Sequence, residues 1–288
     1  PPGPWLMDRG EMVDFLDRVA AAETKNNSLL CVGLDPDPAR FPDHLAKEPD
    51  AIFRFCRDIV DATHDLALAF KPQIAYFAGQ RAEEQLRRLI DHIHNNTDIP
   101  VILDAKRADI TSTSRLYAVE AFDVYDADAL TVNPYFGLDS LQPFLDYKDK
   151  GIIILCRTSN PGGAEIQNIM TQDGIPIYEV VAQKAADDWN MNGNVLLVAG
   201  ATHPSELRRI REIVGQMTLL IPGIGAQGGE VSAMVEGARG GGVIINSSRA
   251  INYAGSDEDF ADAARKVAMA TRDAINEAVA AICENIRD

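Results

Sequence analysis

The sequence predicts a closed (β/α)8 barrel, a parallel eight-stranded sheet ringed by helices, with one further helix ahead of the first strand. Three observations carry this. Short runs rich in Val, Ile and Leu alternate with longer segments of helical spacing, about eight times over. The runs are continuously apolar, as strands covered on both faces must be. The length of 288 residues suits one such barrel, which typically needs about 250. An open doubly wound sheet is the alternative that the same alternation allows.

The strand runs are Ser28–Asp35, Leu66–Gln73, Pro100–Lys106, Ala127–Pro134, Gly151–Thr158, Asn194–Ala201, Leu219–Gly225 and Gly242–Ser248. Between them, Leu86, Leu89, Ile90 and Ile93 share one helical face, as do Leu138, Leu141, Phe144 and Leu145. Phe260, Ala264, Val267, Thr271, Ile275 and Ile282 repeat the pattern near the end. Met12, Phe15, Leu16 and Val19 mark a helix before the first strand, placed to cover the barrel bottom. Ser159–Ile175, rich in Gly, Asn and Gln, reads as a long loop. Residues 1–288 read as a single barrel domain, with residues 1–10 a lead-in outside the pattern.

A net charge of −16 argues against nucleic acid or an anionic membrane as partner. An anionic small substrate would need its own local cations. No apolar run is long enough to span a bilayer. Cys31, Cys56, Cys156 and Cys283 form no CxxC pair and read as buried, reduced thiols, which points to the cytoplasm. His92 and His94 read as solvent-exposed, and His44, His64 and His203 have no metal-ligand spacing.

Barrels of this type carry their chemistry at the C-terminal ends of the strands. The polar residues closing the runs are Asp35, then Lys71, then Asp104, Lys106 and Asp109. Arg157, Thr158 and Ser159 close the fifth run, Gln227 lies in the Gly223–Gly229 loop after the seventh, and Ser247, Ser248 and Arg249 close the eighth. Asp104 and Lys106 are two apart, so a regular strand points both to one face, toward the barrel mouth. With Lys71 on the next strand, an alternating Lys–Asp–Lys array becomes possible. Its plainest form is a structural ion pair at the rim, but an apolar layer would fill that place at lower cost. The glycine-rich loop and Arg249 suit a phosphate, through backbone N–H groups and a charge-assisted contact.

Asp104-Ala105-Lys106-Arg107-Ala108-Asp109-Ile110 resembles the D-x-K-x-x-D-I signature of the orotidine 5′-monophosphate decarboxylases. Lys71 in FKPQIAYF, Asp35 in GLDPDP, Ser159 in TSNPGG, Gln227 in PGIGAQGG and Arg249 match the remaining motifs of that family in order, from about Ser28 to Ile251. TSNPGG and VAGATHP are most similar to its longer bacterial-type branch. One departure is Asn246-Ser247-Ser248, where many relatives have a glycine directly before the arginine.

The resemblance implies loss of CO2 from OMP to give UMP, in de novo pyrimidine synthesis, with no metal or organic cofactor. Lys71, Asp104, Lys106 and Asp109 would be the catalytic set, with Lys106 stabilising the C6 carbanion and protonating it. Asp35 and Lys71 would hold the ribose hydroxyls, Ser159 the pyrimidine edge, and Gln227 and Arg249 the phosphate. Asp109 and Thr113 would reach the other subunit's site, making the active form a homodimer. Two rivals share the scaffold. A Mg2+-dependent sugar-phosphate lyase carries the same signature but an acidic residue where this chain has Lys71. A nucleotide-binding barrel without activity would lack the complete charged set.

Overall fold

The structure, a computed structural model, describes residues 14–200, 202, 204–223 and 228–285. Met12, His203, Gly225 and Gln227 lie outside the described residues. Eight parallel strands are described: β1 (Leu30–Leu34), β2 (Ala69–Pro72), β3 (Ile102–Arg107), β4 (Ala129–Val132), β5 (Gly151–Arg157), β6 (Val195–Ala199), β7 (Leu219–Pro222) and β8 (Val243–Ser247). They run in the order β2-β1-β8-β7-β6-β5-β4-β3. Parallel bridges Phe70↔Val101 and Gln73↔Asp104 then join β2 to β3 and close the ring. Closure excludes the open doubly wound sheet and fixes the (β/α)8 barrel.

The apolar runs form strands because each is buried on both faces, by the barrel interior inside and the helices outside. Every residue of β1, β2, β4 and β6 is buried. Leu86, Leu89, Ile90 and Ile93 of the helix Glu83–Asn96 are fully buried, as their spacing requires. Leu138 departs from its predicted face: it opens the helix Leu138–Leu145 on the side of the mouth and stays exposed, while Leu141, Phe144 and Leu145 are buried.

The helix Phe15–Asn26 plugs the barrel bottom. Asp14 caps it by accepting the Asp17 N–H. Phe15 is buried against the start of β5, where a Cβ on Gly151 would overlap its ring. Glycine there makes room for the plug.

Three expectations are corrected. Ser159–Ile175 is not a featureless loop, since Pro161–Gly163 and Ala164–Gln167 form helical turns. Gln167 stitches them to the end of β5: its Oε1 accepts the Thr158 N–H at 2.9 Å and its Nε2 donates to Thr158 Oγ1 at 2.9 Å. His92 and His94 are half-buried rather than free, because carboxylates lie within reach: Asp61 at 2.6 Å from His92 and Asp128 at 2.9 Å from His94. The cysteines are all unpaired, but Cys283 is exposed near the end of the long final helix.

Candidate active site

The strand ends form a cleft of about 600 Å³ whose lining includes Asp35, Arg40, Lys71, Asp104, Ser248 and Arg249. Asp104, near the centre of β3, sits between two amines. Lys71 Nζ donates to its Oδ2 at 2.7 Å and Lys106 Nζ to its Oδ1 at 2.6 Å. The predicted Lys–Asp–Lys array therefore forms. The three groups differ in access: side-chain exposure is 6% for Lys71, 10% for Asp104 and 46% for Lys106. The inner pair is fixed and lines the cleft; the outer ammonium, bonded to Asp104, is the most exposed of the three.

The array does not arise from a regular strand. β3 pairs with β4 through Leu103↔Leu130 and Arg107↔Val132, so Asp104, Ala105 and Lys106 stand opposite Thr131 alone. This bulge turns Lys106 into the left-handed region, φ 49°, which costs a non-glycine residue about 1 kcal/mol. Bulges beside active sites re-aim side chains, and here the re-aimed side chain is the lysine.

Burial alone would raise the Asp104 carboxyl, but the charges and hydrogen bonds of Lys71 and Lys106 outweigh it and hold it well below the usual carboxylate range. Burial would pull Lys71 down; Asp104 and Asp35 reverse this and hold it above its ordinary value. Asp35 goes the other way: burial, which opposes its ionisation, outweighs Lys71 and raises it.

At the other end of the cleft, Arg249 opens a short helix, Arg249–Asn252, directly after β8. The departure at Asn246-Ser247-Ser248 is accommodated on the neighbouring strand. A Cβ on Gly33 of β1 would overlap Ser248 Oγ, so the missing side chain that admits Ser248 belongs to Gly33. Gly223, at the exit of β7, has φ +87°, with no described residue within 4 Å of the place a Cβ would take.

Asp109, Thr113 and Ser159 do not line this cleft. Asp109 Oδ1 accepts the Ile110 N–H at 2.7 Å, and its carbonyl accepts from Ser114 Oγ at 2.6 Å and from Ser140 Oγ. Thr113 lies one turn further on, in the helix Thr111–Val119. Ser159 is half-buried just beyond β5, where Gly200 lets the chain pass closely. Arg157 is a brace, not a ligand-facing group: it is buried, with Nε 2.7 Å from Glu206, and donates to Thr158 O at 2.7 Å.

Sequence reasoning passed over Arg40 and Thr131. Arg40 follows β1 in a short turn, Pro38–Arg40, and its guanidinium lies 3.6 Å above the Tyr253 ring. Tyr253 in turn is tied to β1's exit: its hydroxyl donates to Asp35 O at 2.6 Å and accepts the Asp37 N–H at 2.7 Å. A basic residue within GLDPDPAR was the available signal. For Thr131 it was a hydroxyl inside an otherwise apolar run.

Residues 28–267 match the family described as "Orotidine 5'-phosphate decarboxylase / HUMPS family". A relative from Aromatoleum aromaticum, "Orotidine 5'-phosphate decarboxylase", is 60% identical over 266 residues, covering 91% of this chain and 98% of that protein. A relative of the same name from Ralstonia nicotianae is 62% identical over 267 residues, again 91% and 98%. Among solved structures, Leishmania donovani OMP decarboxylase superposes with a TM-score of 0.79 at 37% identity, covering 92% of this chain and 98% of that one. The chain thus belongs to the orotidine 5′-phosphate decarboxylase / HUMPS family.

Proposed function

We propose that this protein is a carboxy-lyase that converts OMP to UMP and CO2 in pyrimidine synthesis. The observation that carries the reading is the Lys71–Asp104–Lys106 array, whose Lys71 and Asp104 line a cleft that also holds Arg249, with the half-exposed Lys106 ammonium bonded to Asp104 at its edge. The names of the relatives support the same substrate.

Cleavage of the bond between C6 and the carboxylate leaves an electron pair on C6 that the pyrimidine cannot delocalise well. A fixed cation beside that carbon stabilises the charge as it develops. Lys106 is that cation. Its ammonium then gives a proton to C6 and recovers one from solvent. Asp104, deprotonated and locked between two amines, holds Lys106 in place. Asp35 and Lys71 bind the ribose hydroxyls, Ser159 the pyrimidine edge, and Arg249 and Gln227 the phosphate. The remote phosphate contacts supply binding energy that orients the reacting carbon.

Asp109 and Thr113 serve the site of a second subunit, so the active form is a homodimer. Two facts support this: among the described residues Asp109 has no hydrogen bond or ion pair to the array of its own chain, and the adjacent apolar Ile110 is 61% exposed. No metal takes part, since Lys71 would repel a divalent cation from the place where a metal-dependent lyase has a carboxylate.

Incubation with OMP, followed by loss of orotate absorbance with and without EDTA, tests the reading. Turnover insensitive to chelator is expected. Turnover abolished by EDTA and restored by Mg2+ would move the chain to the metal-dependent lyases. Tight UMP binding with no turnover would make it a nucleotide-binding barrel.

A further inference from the structure

We propose that Thr131 is a positioning residue, whose single hydroxyl holds the β3 bulge open and so aims Lys106. The role of Lys106 rests on the reading above; the geometry of Thr131 does not. Thr131 lies on β4, 1% exposed, opposite the three residues Asp104, Ala105 and Lys106. Its Oγ1 donates to Asp104 Oδ1 at 2.9 Å and accepts the backbone N–H groups of Ala105 and Lys106, each at 2.9 Å.

A hydroxyl has one proton to give and two lone pairs to receive. All three are used, and all three run to the bulge. In a regular ladder, successive N–H groups of β3 would alternate between the two neighbouring strands. The bulge turns two consecutive N–H groups toward β4, where the pleat offers no pair of carbonyls to receive them. One oxygen accepts both. Without it, two backbone donors would be left unpaired beside Asp104, and the strained φ of Lys106 would have nothing to hold it. Threonine suits the task because branching at Cβ restricts χ1, so the oxygen is aimed before the bulge forms. The same atom orients Asp104, which receives Lys106 Nζ on the oxygen that Thr131 also touches.

The test uses Thr131→Val, which keeps the shape and removes the hydroxyl, and Thr131→Ser, which keeps the hydroxyl. Thr131→Val is expected to lower kcat roughly 10²-fold while KM stays within about threefold, because the reacting ammonium is misplaced but the phosphate end is untouched. Thr131→Ser restores most of kcat. Amide hydrogen exchange supplies a readout that needs no substrate. The Ala105 and Lys106 amides are slow in the wild type and in Thr131→Ser, and fast in Thr131→Val. A Val variant with wild-type kcat, or a Ser variant as impaired as Val, overturns the proposal. So does wild-type exchange at 105 and 106 as fast as in exposed loops, and this decides the matter even where Thr131→Val does not fold. If the wild type fails to decarboxylate OMP while these amides are protected through Thr131, the functional reading falls and the bulge geometry stands.

Discussion

The two ends of the barrel hold buried charge in opposite ways. At the bottom, Asp128 ahead of β4 is gripped by Arg18, by His94 at 2.9 Å and by the Val101 N–H at 2.8 Å. Arg211, 6% exposed, gives its donors to four backbone carbonyls, those of Ala238, Gly215, Met217 and Gly242, at 2.6–2.9 Å. A side chain at Gly241 would overlap that guanidinium, so the loop is shaped around it. Burial lowers Arg211 to about 10, yet it remains charged at neutral pH. Asp128 and Arg211 are closed: both are buried, and protein partners take up their charge. At the mouth, two amines share one carboxylate, and Arg40 and Arg249 border the same cleft. There the charge is held but not consumed. Bottom charges serve the fold, and on the proposed function the mouth charges are kept for the substrate.

The sharpest way to break this contrast is to remove the outward ammonium. Lys106→Ala should lower kcat by about 10⁴-fold or more, since both charge stabilisation and proton donation are lost. UMP affinity should change little and the thermal midpoint should stay within a few degrees, about the range of a 1 kcal/mol change. Substantial turnover by this variant, measured by orotate absorbance, would remove Lys106 as the proton donor.

Asp128→Asn should do the reverse. It weakens the partnership with Arg18 and His94, and a broken buried charge network costs about 3 kcal/mol. Urea unfolding should show that loss, while kcat/KM at 25 °C stays near wild type. If activity fell and stability did not, the bottom would not be a purely structural end.

The phosphate end tests whether Arg40 and Arg249 act alike. Arg249→Ala should raise KM for OMP by about 10²-fold, the loss of a charge-assisted contact worth about 2–3 kcal/mol. Arg40→Ala should raise it about tenfold, because Arg40 also spends its guanidinium on the Tyr253 ring. Orotidine, which lacks the phosphate, should be bound equally by wild type and both variants. Equal losses with orotidine would mean that the arginines shape the cleft rather than hold the phosphate.

These residues were unequally visible in the sequence. Lys71, Asp104, Lys106 and Arg249 stood out because a polar residue ending an apolar run marks a barrel mouth. The spacing of Asp104 and Lys106 suggested the right neighbours for an incomplete reason: it implies a flat pleat, and the structure has a bulge with Lys106 at φ 49°. No local pattern announces such a bulge, since it depends on what β4 places opposite. Thr131 was hidden because threonine is an ordinary strand former. His92 and His94 were misread because their carboxylate partners, Asp61 and Asp128, are distant in sequence.

The smallest effect concerns Asp35, the mouth carboxylate whose burial its neighbouring cations do not outweigh. Asp35 has a folded-state value raised above its unfolded one. Its contribution to stability is therefore full only below the unfolded value, about 3.9, and is lost as pH rises through the folded value. Asp104 and Asp128 are lowered, so theirs is present above that range and lost on acidification. At neutral pH, Asp35 is a net burden on the fold, and on the proposed function its place is beside the ribose. Asp35→Asn should thus raise the thermal midpoint at pH 7 by about 2 °C, while lowering kcat/KM. The gain should shrink as pH falls through the raised folded-state value, where the wild-type carboxyl takes up its own proton. A midpoint that falls at pH 7, or a gain independent of pH, would mean that Asp35 stabilises Lys71 more than its own burial costs. The mouth would then resemble the bottom more closely than the geometry indicates.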